Sequence, residues 1–173
     1  MHIKYLCDKN TGLFYHGWTF NERNNFGGVF WCCGNSWFTL GILDYIDMFN
    51  GTMNAGLKTF IVDTYKAQVE KLKELQDKKT GLWHTVLTDP DSYVETSGTA
   101  GILKGIRYGI LDDSYLPCAK AAIEGILNQI DEDGTVLQVS GGTGMGYNAY
   151  QRFQSGSERA ISAGGAGSGS PAI

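Results

Sequence analysis

The chain has 173 residues, 42% of them hydrophobic and 12% aromatic, and its formal net charge is −4. This length and composition suit one domain with a sizeable core, and the acidic balance provides no basic surface for phosphate-driven binding of nucleic acid. No apolar run reaches the ~18 residues that a membrane span requires, so we expect neither nucleic acid nor a membrane as a partner.

The cysteine pattern bears on cofactors and location. The four cysteines stand at positions 7, 32, 33 and 118 with no Cys-x-x-Cys pair, and the chain has only three histidines. Neither a zinc site nor a disulfide framework is indicated, so we expect no metal and no other cofactor. Because the first ten residues do not resemble a signal peptide, we expect a reducing, cytoplasmic location.

The first predicted element is a turn whose sequence occurs twice. It reads DKNTGLFYH at residues 8–16 and returns as DKKTGLWH at residues 77–84. Two close copies of such a pattern indicate an internal repeat, and a repeat constrains a fold more strongly than any other sequence feature.

Two predicted helices follow each copy of the turn. Apolar residues at helical spacing predict helices over 36–49 and 57–76 after the first copy, and over about 98–111 and 115–130 after the second. A third, looser copy, DEDGTVLQVSGG, begins at Asp131. In each pair the first helix is apolar and the second is amphipathic. This pattern predicts an all-α fold with inner and outer rings of helices, whose hairpins gather at one end.

The end of the sequence departs from the repeat. Residues 151–173 are rich in Gly, Ser and Ala and contain few large apolar residues. We therefore expect one helical domain over residues 1–150, followed by a tail that is disordered or aberrant.

Three stretches of the chain resemble a known enzyme family. They read TGLFYHGWTFNERNNFGGVFWCCGNSW, LQDKKTGLWHTVLTDPDSYVETSGTAG and EDGTVLQVSGGTGMG, and they occur in the family's order. The chain resembles the unsaturated rhamnogalacturonyl hydrolases of glycoside hydrolase family 105. The resemblance implies an (α/α)6 barrel of six helical hairpins, the six-hairpin glycosidase fold, of which this chain holds about two and a half hairpins.

The resemblance also implies a reaction. Enzymes of this family remove an unsaturated galacturonic acid from the non-reducing end of rhamnogalacturonan oligosaccharides, which are products of pectin degradation. An acidic residue protonates the C4=C5 double bond and then, as a base, helps water to add at C5, after which the hemiketal collapses and releases the sugar. The family pattern His-Gly-Trp-Thr-Phe-acid-x-Arg matches the segment from His16 with one residue of slack, which makes Glu22 the candidate acid/base. A solvated loop glutamate is the alternative.

Further candidate residues would bind the unsaturated uronic-acid oligosaccharide. Histidines can contact its hydroxyls or carboxylate, tryptophans can stack on its sugar rings, and an arginine can pair with its carboxylate. Each also has a structural explanation, because histidines can close hairpins, tryptophans can fill the core and a glutamate can favour a helix N-terminus. We expect the histidines of the two repeat copies to be equivalent and Trp83 to be the main ring platform. The candidates are His16, Trp18, Arg23, Asn35, Trp37, Trp83, His84 and Glu95.

The chain departs from the family at Cys33, where the family usually has an arginine. A thiol supplies neither the charge nor the fork of donors of a guanidinium. Together with the short length, this departure leaves open a catalytically inactive remnant that still binds acidic oligosaccharide. A helical-repeat interaction scaffold and a lyase of the same fold are further alternatives. A partial ring would expose apolar helix faces, so we also expect self-association through its edges.

Overall fold

The computed structural model describes residues 2–25, 28–49, 51–99 and 101–140. The fold of these residues is mostly helical, which confirms the predicted all-α class. Strands β1 (Trp83–His84) and β2 (Val94–Glu95) form a short antiparallel hairpin with Trp83 opposite Glu95, and 3-10 turns cover Ser97–Thr99 and Asp113–Tyr115. The helices are α1 (His2–Leu6), α2 (Cys32–Met48), α3 (Ala55–Leu75), α4 (Gly101–Arg107) and α5 (Leu116–Leu127).

Three of the four predicted helices correspond to the observed α2, α3 and α5. The start of α3 is fixed by Asn54, whose side chain accepts a hydrogen bond from the Leu57 N–H at 3.2 Å, as an N-cap does. Pro117 lies in the first turn of α5, where a missing N–H costs nothing. The start of α2 differs, because the helix begins at Cys32 and not at residue 36.

The helix predicted over 98–111 is shorter than expected. A separate 3-10 turn covers Ser97–Thr99, and α4 runs from Gly101 to Arg107. Gly109 has a left-handed conformation with φ 66, and the N–H groups of Ile110 and Leu111 return to the Gly105 carbonyl at 3.0 and 3.1 Å. This reversal is a common way for a glycine to end a helix, and it outweighs the apolar periodicity that continues beyond it.

The repeated turn has the same geometry in both copies. The Asp8 N–H donates to the Leu13 carbonyl at 2.8 Å, and the equivalent bond from Asp77 to Leu82 measures 2.9 Å. In each copy the threonine hydroxyl donates to the aspartate carboxylate, at 2.6 and 2.7 Å. The glycines of the two copies have φ 75 and 74, a conformation that favours glycine. The sequence repeat is therefore a structural repeat.

The third, looser copy also forms a turn. The Asp131 N–H donates to the Thr135 carbonyl at 3.1 Å, and Gly134 has φ 85. The turn is one residue shorter than the first two copies. The expected domain boundary at residue 150 and the expected tail at 151–173 lie outside the described residues.

The core lies where α2 packs against α3 and α4. Leu43 on α2, Tyr65 on α3 and Ile102 on α4 are almost completely buried. The Tyr65 hydroxyl donates to the Gly101 carbonyl at 2.9 Å, and a Cβ at Gly101 would lie only 2.3 Å from the Thr39 side chain. The two inner helices can therefore approach closely only because α4 begins with glycine. In the part of the chain that the structure describes, no helix is both long and apolar enough to cross a membrane.

Candidate active site

Hydrogen bonds join each hairpin to the segment that leads into the neighbouring inner helix. The Cys32 N–H, at the start of α2, donates to the Thr85 carbonyl at 2.8 Å. One repeat later, the Thr96 N–H donates to the Gln138 carbonyl at 3.0 Å. The hairpins and the starts of the inner helices therefore lie side by side at one end of the fold, as the repeat predicted.

Four buried polar atoms in these loops have no hydrogen-bond partner among the described residues. They are His16 Nδ1, Trp18 Nε1, Thr85 Oγ1 and Glu95 Oε2. Buried polar atoms in folded proteins are nearly always hydrogen-bonded. Because the four atoms belong to loops that flank the inner helices, we infer that they mark the candidate site.

His16 lies against the first turn of α2. Its Nδ1 would be 3.1 Å from a Cβ placed at Gly34, so the ring packs directly over this glycine. Burial lowers the pKa of His16 and favours the neutral imidazole, which can donate one hydrogen bond and accept another. In the same loop, the half-buried Trp18 ring packs on Tyr5 with centroids 5.4 Å apart.

Glu95 lies on β2, and its side chain is completely buried beside the start of α2. Its Oε1 accepts a hydrogen bond from the Ser97 hydroxyl at 3.0 Å. Burial raises the pKa of Glu95, and the nearby donors, among them the Cys32 thiol and the Ser97 hydroxyl, oppose this shift. Burial, and then the nearby Glu95 charge, also raises the pKa of Cys32, so this thiol stays protonated.

Asn35, predicted to bind substrate, instead joins three parts of the protein. Its side chain accepts from the Phe14 N–H at 2.7 Å and donates to the Phe14 and Trp31 carbonyls at 3.0 and 2.9 Å. The Gln68 amide of α3 donates to it at 3.1 Å. Asn35 is 1% exposed and makes its hydrogen bonds within the chain, which favours a structural role.

Trp83, which was predicted to bind substrate, lies in the core. Its exposed fraction is 0%, and its indole N–H donates to the Leu72 carbonyl at 2.7 Å. A ring with no exposed face cannot stack on a sugar, so the expected ring platform is a core residue in this structure. Sequence alone does not separate these two uses of a tryptophan.

The two predicted histidines are not equivalent. When the two turns are aligned on their equivalent hydrogen bonds, Leu13 corresponds to Leu82. Tyr15 then corresponds to His84, and His16 corresponds to Thr85. The expected equivalence was one residue out of register. Successive residues of an extended segment point to opposite sides, so the side chains of His16 and His84 take different positions.

His84 closes its own hairpin. Its Nδ1 lies 2.5 Å from the Ser92 carbonyl, and its Nε2 lies 4.0 Å from the Asp77 carboxylate. This is the structural alternative for a hairpin histidine. The structure therefore brings His16 and Glu95 together around the start of α2, with Asn35 below them, and places His84 elsewhere.

Three other candidates are exposed. Trp37, on α2, has an exposed fraction of 81%. Glu22 and Arg23 lie on a turn that is closed by the Thr19 N–H, which donates to the Asn24 carbonyl at 3.0 Å. All three side chains are accessible to a ligand. Arg23 has φ 54, in the left-handed region that non-glycine residues rarely adopt.

Comparison with known proteins identifies the family. Residues 1–166 match the sequence profile of Glycosyl Hydrolase Family 88. The chain belongs to this family. The unsaturated rhamnogalacturonyl hydrolase YesR of Bacillus subtilis (strain 168) is 37% identical over 162 residues, an alignment that covers 88% of this chain and 45% of YesR.

Solved structures of family 88 and the related family 105 share the fold. A possible member of the GH105 family from Salmonella enterica serovar Paratyphi A is 36% identical, with a TM-score of 0.84 over 93% of this chain and 43% of that one. A family 105 glycoside hydrolase of C. acetobutylicum, 23% identical, has a TM-score of 0.73 over 94% of this chain and 51% of that one. The predicted resemblance and the partial six-hairpin architecture are thereby confirmed. The chain spans about half the length of these relatives.

Within this family 88 chain, the sequence did not single out Thr85 or Cys32. Both are buried where the second hairpin meets the start of α2. The Thr85 carbonyl accepts a hydrogen bond from the Cys32 N–H, and the Cys32 thiol lies near Glu95. Thr85 would have been found by aligning the two turns on their leucines. Nothing in the sequence marks Cys32 as a neighbour of Glu95, because the contact joins different repeats.

Proposed function

We propose that this chain is part of a glycoside hydrolase that removes unsaturated galacturonic acid from the non-reducing end of rhamnogalacturonan oligosaccharides. The observation that carries this proposal is the 37% identity with an unsaturated rhamnogalacturonyl hydrolase across 88% of the chain. The TM-score of 0.84 to a possible family 105 member supports the same assignment.

In the proposed reaction, Glu22 acts as the acid/base. Its carboxyl group transfers a proton to C4 of the unsaturated uronic acid, and the carboxylate then takes a proton from the water that adds at C5. The hemiketal formed at C5 opens and releases the remaining oligosaccharide. The exposed position of Glu22 supports this role, since the carboxyl group is accessible to substrate.

The proposed substrate contacts follow from exposure and chemistry. Arg23 pairs with the uronate carboxylate through two parallel hydrogen bonds, which a guanidinium can form. The exposed Trp37 ring stacks on a sugar, and the neutral His16 ring exchanges hydrogen bonds with its hydroxyls. Trp18 is a further candidate, because its buried indole N–H has no hydrogen-bond partner among the described residues.

A second candidate function is binding without catalysis. Cys33, which stands where related hydrolases were expected to carry an arginine, is half-buried and cannot supply a guanidinium. In this alternative the chain binds the acidic oligosaccharide through Trp37 and Arg23 but does not hydrate it.

The test follows the ultraviolet absorbance of the conjugated C4=C5 uronate during incubation with unsaturated rhamnogalacturonan disaccharide. We expect the wild-type chain to remove this absorbance and Glu22→Gln to leave it unchanged. Glu124→Gln, at an exposed position on α5, is the matched control and should behave as wild type. A flat wild-type trace combined with binding in calorimetry would favour the second function.

Self-association and location are further proposals. Three apolar side chains on helix faces are strongly exposed: Trp37 at 81%, Met48 at 79% and Leu127 at 60%. Such faces favour association of the chain with itself, which light scattering would detect as a mass above that of one chain. The four cysteines are free thiols, which supports a reducing, cytoplasmic location.

A further inference from the structure

The extended segment that leads to His16 is held by a side chain at the edge where the second unit has a strand. The Asn35 side chain accepts a hydrogen bond from the Phe14 N–H at 2.7 Å and donates one to the Phe14 carbonyl at 3.0 Å. Neighbouring antiparallel strands exchange the same two bonds at a hydrogen-bonded pair. In the second unit the equivalent residue, Trp83, is paired with Glu95 of strand β2. The Asn35 amide therefore takes the place of a strand in the first unit.

Asn35 is held in turn by the outer helix α3. The Gln68 amide donates to Asn35 Oδ1 at 3.1 Å and to the Asn35 carbonyl at 3.2 Å, and its oxygen accepts from the Thr39 hydroxyl at 2.9 Å. Asn35 Nδ2 also donates to the Trp31 carbonyl at 2.9 Å. A donor on Oδ1 and an acceptor on Nδ2 fix which way the Asn35 amide faces. The three polar side chains are no more than 1% exposed, so water does not replace these partners.

We propose that Gln68 is a positioning residue that, through Asn35, fixes the place of His16 at the start of α2. His16 lies two residues after Phe14, and its ring packs over Gly34, the neighbour of Asn35. Rotation of the Asn35 amide would exchange its donor and acceptor and break both bonds to Phe14. The consequence for catalysis rests on the proposed function, whereas the hydrogen-bond network does not.

The repeat shows that packing of the outer helix does not require this glutamine. The turn glycines of the two units approach the backbone at Ala67 of α3 and at Ala121 of α5, so Gln68 corresponds to Ala122. Ala122 is buried as well, with 1% exposure. An apolar residue can therefore fill this position. The amide occurs in the unit that carries His16 and uses a side chain in place of a strand.

The test is hydrogen exchange of the Phe14 amide, measured by NMR spectroscopy, in Gln68→Met. Methionine is unbranched like glutamine but cannot donate a hydrogen bond. Loss of the bond to Asn35 should make the Phe14 amide exchange about fivefold faster. A glutamine that only fills the core would speed all slowly exchanging amides alike, so the Ala122 amide of α5 is the internal reference. Lys66→Met, at an exposed position on α3, is the matched control and should leave Phe14 exchange unchanged.

A double-mutant cycle tests whether Gln68 acts through Asn35. In Asn35→Ala the Phe14 amide has lost its acceptor, so addition of Gln68→Met should change its exchange by less than about twofold. The His16 imidazole provides an independent readout. Burial lowers the pKa of His16, and displacement of its segment in Gln68→Met should raise this pKa toward the ordinary value. If hydrolysis is observed, Gln68→Met should also lower kcat/KM.

Two results would overturn the proposal: Phe14 exchange that rises only as much as that of Ala122 in Gln68→Met, or an equal effect of Gln68→Met with and without Asn35. If a variant does not fold, couplings across hydrogen bonds in the wild-type chain decide. The Phe14 nitrogen and the Gln68 side-chain nitrogen must both couple to the Asn35 side-chain carbonyl carbon, and absence of either coupling overturns the proposal. An inactive wild-type chain would refute the proposed function but would leave these measurements unaffected.

Discussion

Replacement of Asn35 by alanine tests whether this residue supports the fold or binds substrate. The change removes an acceptor of the Phe14 N–H, a donor to the Phe14 and Trp31 carbonyls, and an acceptor of the Gln68 amide. Each buried group that is left unbonded costs about 1–3 kcal/mol, and two or three such groups give a loss of about 3–5 kcal/mol. This is a large fraction of the roughly 5–15 kcal/mol that stabilises a typical domain.

The assay is urea denaturation of Asn35→Ala, followed by tryptophan fluorescence. Asn128→Ala, at the exposed end of α5, is the control and should change the free energy of unfolding by less than about 0.5 kcal/mol. A loss below about 1 kcal/mol for Asn35→Ala would refute the structural role. If such a variant also bound oligosaccharide more weakly, Asn35 would be a substrate ligand after all.

Three further predictions concern the turn, the buried acid and the thiols. Gly81→Ala should destabilise the chain by more than about 2 kcal/mol in urea denaturation, because the added Cβ would lie 2.1 Å from a backbone carbonyl of α5. Gly109→Ala is the control: Gly109 also has a positive φ but open space around it, so this change should cost only about 1–2 kcal/mol. Burial raises the pKa of Glu95, so the folded chain keeps this proton at pH values at which the unfolded chain has lost it. The free energy of unfolding should therefore fall as pH rises through that interval. Glu95→Gln should flatten this fall in denaturation series at different pH, and an unchanged slope would contradict the assignment. Cys32 and Cys118 are buried and should react with a thiol reagent only as fast as the chain unfolds, so rapid labelling in mass spectrometry would exclude the observed packing.

The helices could be predicted from sequence because their apolar spacing is local. The exception is the start of α2, where the first N–H of the helix donates to the Thr85 carbonyl of the next repeat. Trp31 gives no capping signal, and Thr85 lies far away in sequence. A start that is fixed by a residue of the next unit cannot be read from the helix's own sequence.

The burial and register of the candidate residues could be predicted less well than the fold, for two physical reasons. Residue type does not say whether a side chain faces the core, so Trp83 and Asn35 were placed in the site although both are buried. The register of the alignment between the two turns matters as much. A shift of one residue paired His16 with His84, although His16 corresponds to Thr85. His16 and Glu95, both predicted, do lie at the start of α2.

The repeated turn has a consequence for the order in which the chain assembles. The glycine of each turn rests on the outer helix of the same unit: a Cβ at Gly12 would meet the backbone of Ala67 on α3, and one at Gly81 would meet Ala121 on α5. A unit thus completes its own contacts once its outer helix has been synthesised. The contacts between units, such as the bond from Cys32 to Thr85 and the bond from Tyr65 to Gly101, await the next unit. During translation the ring can therefore grow by whole units from its N-terminal side, and each finished unit offers the edge on which the following one docks.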